Sequence, residues 1–303
     1  MKKNILILLA ITTIFSCKNN KKENGKLNIV TSTTMITDLV RNIGGDSINI
    51  NGLMGSGVDP HLYKASEGDV TKLVNADIIF YNGLHLEGKL VEVFEKMGSS
   101  TKTPIALGEV IDKSTLIGSD YFASNYDPHV WFNINYFKQF AKKVTTTLTE
   151  KDKANATYYK SNETIFLAKL DSLQNTVNAT IKTLPKEKRI LVTAHDAFNY
   201  FGKNYGFEVV GLQGLSTATE AGVKDVQNLA NFIIEKQVKA IFVESSVPKR
   251  TIEALQEAVK SKGHDVKIGG TLYSDALGSA GTIEGTYIGM FEYNVNTIVN
   301  ALR

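Results

Sequence analysis

The run "DKANATYYKSNETIFLAKLDSLQNTVNATIKTLP" (Asp152–Pro185) lies midway along the chain and divides it in two. No glycine or proline interrupts it before Pro185, and Phe166, Leu170, Leu173, Val177, Ile181 and Leu184 recur at steps of three and four. That spacing is one apolar stripe of a single helix, which the proline then stops. A helix of this length is roughly 50 Å long. A flexible hinge would be rich in Gly and Ser, so this stretch is a rigid strut. The alternative, a long surface helix inside one domain, fits its position less well, because a β/α series lies on each side.

Before the strut, "LNIVTS", "INING" to Met54 and "ADIIFYN" have the apolar, β-branched character of strands. Helical stretches at Met35–Ile43, closed by Gly44-Gly45, and at Glu67–Val74 separate them, and a further helix spans Ile134–Leu148. After the strut, "RILVTAH", "FEVVGLQ", "KAIFVES" and "DVKIGGTLY" repeat the pattern, with helices at Phe198–Asn204, Val223–Glu235 and Lys249–Lys262. Nearly continuous apolar strands alternating with helices indicate parallel sheets covered on both faces. The expected fold is therefore α/β: an N-terminal lobe over 27–151, a connecting helix over 152–185, and a C-terminal lobe over 186–303.

The chain has 5 prolines and 5 histidines, and two of each fall in one repeated tripeptide. Asp59-Pro60-His61 stands in "VDPHLY" and Asp127-Pro128-His129 in "NYDPHVWF". Each proline fixes φ just before a histidine and so reduces the entropy lost in holding that imidazole in place. His61 follows a strand, His195 ends the buried strand of "ILVTAHDAF", and Asp275 lies past another strand in "LYSDALGSAG". Sites in open α/β sheets form just beyond the carboxyl ends of strands. A single histidine there is commonly structural. Two of them in one repeated tripeptide, with a third and a carboxylate at strand ends, make a tetrahedral N/O ligand set suited to Zn²⁺, or to Mn²⁺ with a bidentate carboxylate.

The remaining candidates are weaker. His85 in "NGLHLEG" sits at an apparent helix start near the surface and His264 in "SKGHDVK" in a charged loop; neither is read as a ligand. Glu220 in "STATEAGV" is placed to cap the following helix or to hydrogen-bond a ligand imidazole. Asp196, beside His195, and Glu244, ending "AIFVE", are further carboxylates placed to support an imidazole.

The amino terminus sets the compartment. "MKKNILILLAITTIFSC" carries Lys2 and Lys3, then an apolar run, then Ser16-Cys17. This is a secretory leader over 1–16, too short to span a bilayer as a stable helix. Cys17 is the only cysteine, so it has no intramolecular disulfide partner. Ser-Cys at the end of the run resembles a bacterial lipobox, which makes Cys17 the lipidated mature terminus; the alternative is an incidental cysteine. The lysine-rich 17–26 segment reads as a tether. Without Lys2 and Lys3 the formal charge of +3 falls to about +1, which leaves no basic face for nucleic acid.

"DPHLY", "DPHVWFN", "VTAHDAFNYF", "GLSTATEAG" and "LYSDALG", in this order behind a lipobox, resemble the TroA-like metal-binding lipoproteins. These are the cluster A-I solute-binding proteins of zinc and manganese ABC importers, and the likeness covers essentially the whole mature chain. It implies two (β/α)-type lobes joined by one backbone helix, a metal in the cleft between them, and ligands at His61, His129, His195 and Asp275. It also implies a membrane permease and its ATPase as partners, with the chain acting as a monomer. Manganese-dedicated members carry Glu where this chain has His195, so the resemblance favours zinc. The chain lacks the His-rich acidic loop of many zinc-dedicated members between His61 and His129, a feature of the mixed-specificity branch.

Two other readings compete. A zinc hydrolase would need an open metal position and a nearby general base, and a surface adhesin would use the same scaffold for a protein partner. No G-x-S-x-G elbow occurs, and "MGSGVDP" lacks G-x-G-x-x-G spacing. The rigid strut leads to the expectation that the lobes rotate little on metal release, with the Asp275 loop moving.

Overall fold

The computed structural model describes residues 25–98, 104–119 and 122–303; the leader, Cys17 and the tether up to residue 24 lie outside them. Before the strut the order is β1 (Leu27–Thr31), α1 (Thr34–Gly44), β2 (Ile48–Gly52), α2 (Glu67–Asn75), β3 (Ile78–Tyr81), α3 (Val91–Gly98), β4 (Ile105–Ala106) and α4 (Ile134–Lys151). The strut is α5 (Ala156–Lys182). After it come β5 (Ile190–His195), α6 (Asn199–Tyr205), β6 (Glu208–Gln213), α7 (Val223–Glu235), β7 (Ala240–Glu244), α8 (Arg250–Ser261), β8 (Lys267–Leu272) and α9 (Tyr287–Leu302).

The strands form two parallel four-stranded sheets of matching topology, β2-β1-β3-β4 and β6-β5-β7-β8. Parallel pairing sends all carboxyl ends of a sheet to one edge, and the two edges face each other across a cleft. The strut is shorter than its pattern implied. Asp152 instead caps a 3₁₀ turn at Lys153–Asn155, its carboxylate accepting the Asn155 amide and the Tyr159 hydroxyl (2.7 Å). The helix then runs 27 residues, about 40 Å. Its predicted stripe is buried, from Phe166 through Leu184.

That stripe does not serve one lobe alone. α5 packs on α1, α4 and α9, and a single apolar core contains Leu39, Phe137, Phe166, Leu173, Phe198 and Phe291, drawn from both halves. Phe137 stacks on Tyr287 at 3.7 Å and 12°, and Phe132 meets Phe198 at 4.5 Å. Asp38 of α1 accepts the amide of Tyr287 at the first turn of α9 (3.0 Å), setting a carboxylate against the positive end of that helix. The halves are joined through packed aromatics as well as through the strut.

α4 carries the second Asp-Pro-His tripeptide at its amino end. Asn133 caps it, its side-chain oxygen accepting the amides of Asn135 (2.9 Å) and Tyr136 (3.4 Å). Asn133→Ala is expected to cost about 1 kcal/mol of stability, measured as a lower urea midpoint at unchanged m-value.

A candidate metal centre between the sheets

Both Asp-Pro-His tripeptides fold into the same local turn. The Asp59 carboxylate accepts the His61 amide (2.8 Å), and Asp127 accepts the His129 amide (2.9 Å). These are Asx turns, so the aspartate side chain and the proline ring both fix the backbone that leads into the histidine. Asp127 does more: the same oxygen lies 2.7 Å from His129 Nδ1, which leaves Nε2 facing the cleft. Asn82 donates to the Pro128 carbonyl (3.0 Å), Tyr200 donates to the Asp127 carbonyl (3.0 Å), and Asn199 donates to Asp127 Oδ2 (3.1 Å).

From the other sheet, His195 closes β5 and Asp275 follows β8. His195 is braced by Glu244 at the end of β7, which accepts its amide (2.9 Å) and approaches its Nδ1 to 2.6 Å. Gly211 lets β6 approach the end of β5 closely, since a Cβ there would lie 2.5 Å from the His195 carbonyl carbon. Trp131, two residues after His129, donates to the Ser274 carbonyl (3.0 Å) and so ties the Asp275 loop to the opposite lobe.

His61, His129, His195 and Asp275 converge, each offering a ligand atom within 4.8 Å of the others. His61 Nε2 and His129 Nε2 are 3.4 Å apart. The Asp275 oxygens lie 3.9, 3.6 and 3.2 Å from Nε2 of His61, His129 and His195. Tetrahedral ligands about 2.0–2.1 Å from zinc are separated by about 3.3 Å, so the spacing is that of a four-coordinate ion. His195 Nε2 and both Asp275 oxygens are buried without a hydrogen bond of ordinary geometry. Buried polar atoms in that state call for a partner, and a cation meets the need of all of them at once.

The electrostatics divide the imidazoles. Burial is the main cause lowering His61 to about 3, so it is a neutral donor at neutral pH. Burial acts the same way on His195, but the Glu244 and Asp275 carboxylates outweigh it and raise that imidazole well above 6.5. Burial would raise Asp275, yet His195, His129 and His61 hold it well below the usual carboxylate range.

The other sequence candidates fare unevenly. Glu244 stands 2.6 Å from His195 Nδ1. Asp196 does not reach an imidazole: its carboxylate accepts the Gly211 amide (2.7 Å) and pins β6 to β5. Glu220 neither caps a helix nor approaches the site; it is exposed and pairs with Arg250 at 3.4 Å, while Gly222 occupies the cap of α7. Asp127 was missed, although the repeated tripeptide itself was its signal. His85 starts no helix; it stands half-buried in a turn before α3, outside the four-residue cluster. His264 is half-buried rather than fully solvated.

Residues 29–301 match the family model described as zinc-uptake complex component A, periplasmic. The manganese-binding lipoprotein MntA of Bacillus subtilis is 44% identical over 98% of this chain and 97% of its own length. The zinc-binding protein TroA of Treponema pallidum is 46% identical over 98% of this chain and 95% of its own. A solved structure titled as periplasmic zinc-binding TroA from that organism superimposes with a TM-score of 0.89 at 47% identity, covering 92% of this chain and 99% of that one. Two matching parallel sheets, a strut helix and a match over nearly the whole chain agree: the chain belongs to the family of zinc-uptake complex component A, solute-binding proteins rather than enzymes.

Proposed function

We propose that the chain is the extracytoplasmic receptor of an ABC importer for a divalent transition metal. It binds Zn²⁺ in preference to Mn²⁺ through His61, His129, His195 and Asp275, and hands the ion to a membrane permease driven by its ATPase. It acts as a monomer, held to the membrane by lipid on Cys17. Residues 27–151 and 186–303 serve as its two lobes, and the strut over 152–185 limits their rotation. The observation that carries this reading is the buried cluster of three imidazoles and one carboxylate, all within 4.8 Å of one another. Three neutral donors and a single carboxylate favour zinc over manganese, both by ligand softness and by the Irving–Williams order. With Asp275 in the cluster the set is closed, which is the arrangement of a holding site rather than a hydrolytic one.

The test is a competition titration of metal-free protein with Zn²⁺ against a chromophoric chelator, and with Mn²⁺ by spin resonance. One ion per chain, with zinc the tighter, is expected; absence of saturable binding below millimolar would refute the reading. Glu244→Gln removes the charge beside His195 Nδ1 while keeping its shape. It is expected to weaken zinc binding about 10–100-fold, and an affinity equal to the parent's would remove Glu244 from the site.

A further inference from the structure

The four donors are closed in, yet they are not equally hidden. His129 and His195 are 0% exposed, Asp275 1% and His61 4%. His61 also lines a surface pocket of about 170 Å³. The lobe that carries His61 contributes His85, Gly88, Lys89 and Phe122 to its wall, and the opposite lobe contributes Ser216 and Ala218. Between the latter two, Thr217 donates its hydroxyl to Asp59 Oδ2 (2.6 Å), while Asp59 Oδ1 holds the His61 amide. A hydrogen bond between the lobes thus lies beside the pocket, two residues from His61.

The second imidazole in this pocket is held there by an unusual backbone. Leu84 and His85 are consecutive non-glycine residues with left-handed φ, 51° and 63°. Such a conformation costs roughly 1–2 kcal/mol per residue and persists only where surroundings enforce it. Glu87 enforces it, its buried carboxylate accepting the amides of Asn82 (2.7 Å) and Gly83 (3.2 Å), and Leu86 closes the turn onto the Gly83 carbonyl (3.1 Å). The turn buries Leu84 and Leu86 on either side and leaves His85 half-buried in the pocket, its ring edge-to-face with Phe122 at 6.2 Å.

We propose that this pocket is the port through which the divalent cation reaches and leaves the four-residue site, with His85 its transient ligand on the way to His61. The inference rests on the metal-binding reading above and adds a second station to it. An imidazole at the mouth replaces a water ligand before the cation meets His61, so dehydration proceeds in steps. A group that assists passage assists it in both directions. It therefore changes rates and leaves the equilibrium affinity alone.

The experiment follows Zn²⁺ in stopped flow, transferring it from a fluorescent chelator to the metal-free full chain and withdrawing it into excess EDTA. His85→Asn removes the imidazole but keeps a residue that tolerates the left-handed backbone. Association and dissociation rate constants are expected to fall together by about tenfold, with the dissociation constant within twofold of the parent. Ala218→Phe, on the exposed opposite wall, narrows the mouth without touching the turn and is expected to slow both rates as well. Unchanged rates in both variants would overturn the port. A weaker affinity in His85→Asn arising only from faster release would also overturn it, because His85 would then act on the resting ion. If the parent chain took up no zinc at all, the four-residue site itself would fall, and the port with it.

Discussion

His195→Ala is expected to weaken zinc binding by about 10²–10³-fold and leave a folded protein. A four-ligand zinc site contributes about 10–16 kcal/mol near neutral pH, so one ligand of four accounts for roughly 3–4 kcal/mol, or two to three decades in affinity. The side chain is 0% exposed, so no outside group replaces it. Removing it leaves Glu244 and Asp275 facing the vacated space, 2.6 and 3.2 Å from where the ring nitrogens stood. Buried carboxylates that lose that imidazole take up a proton rather than remain charged. The fold therefore survives, and circular dichroism separates lost binding from lost structure. An affinity within threefold of the parent would remove His195 from the site.

The same residue sets the pH dependence. Glu244 and Asp275 hold His195 protonated in the metal-free protein, so an incoming ion displaces one proton there, whereas His61 is already neutral. Near neutral pH, affinity is therefore expected to rise about tenfold per pH unit. The two imidazoles affect the metal-free fold in opposite senses. The raised His195 contributes stability that is full below about 6.5 and is lost as pH rises through its folded value. The lowered His61 contributes stability that is full above about 6.5 and is lost as pH falls toward about 3.

Removing the ion is expected to have the second large effect. A ligand bound only by the folded state stabilises it by about 4 kcal/mol at a free concentration a thousand times its dissociation constant. For a chain of this size that is on the order of 10 °C in Tm. The physical origin is local: the ion ties the loops after β5 and β8 to both Asp-Pro-His turns and ligates His195 Nε2 and Asp275, which without it face one another at 3.2 Å. Calorimetry with zinc and with EDTA checks this, and coincident transitions would mean that these groups hold no ion.

The strut and most strands were legible because their signals are local. An uninterrupted apolar stripe needs one helix, and β-branched runs between helices need a buried sheet. The four converging side chains were legible through the positions they occupy at strand ends and after the two prolines. Their supporting carboxylates were less so, because which acid meets which imidazole depends on approach across the sheet. Glu244 reaches His195 from β7, 49 residues along the chain. Asp196 follows His195 directly, and neighbouring residues of an extended chain point opposite ways, which explains why it bonds β6 instead. Glu220 lies in a loop without periodicity, and only the fold brings it to Arg250. α9 escaped notice because Gly289, Asn294 and Asn296 weaken its helical signal; it forms by packing on α5 and β8.

The most direct measurement is anomalous diffraction on both sides of the zinc edge, from crystals grown with one equivalent of Zn²⁺. The expected map holds one strong peak about 2.0–2.2 Å from Nε2 of His61, His129 and His195 and from an Asp275 oxygen. No peak where those four side chains meet, or an ion held elsewhere on the chain, would contradict the proposed site.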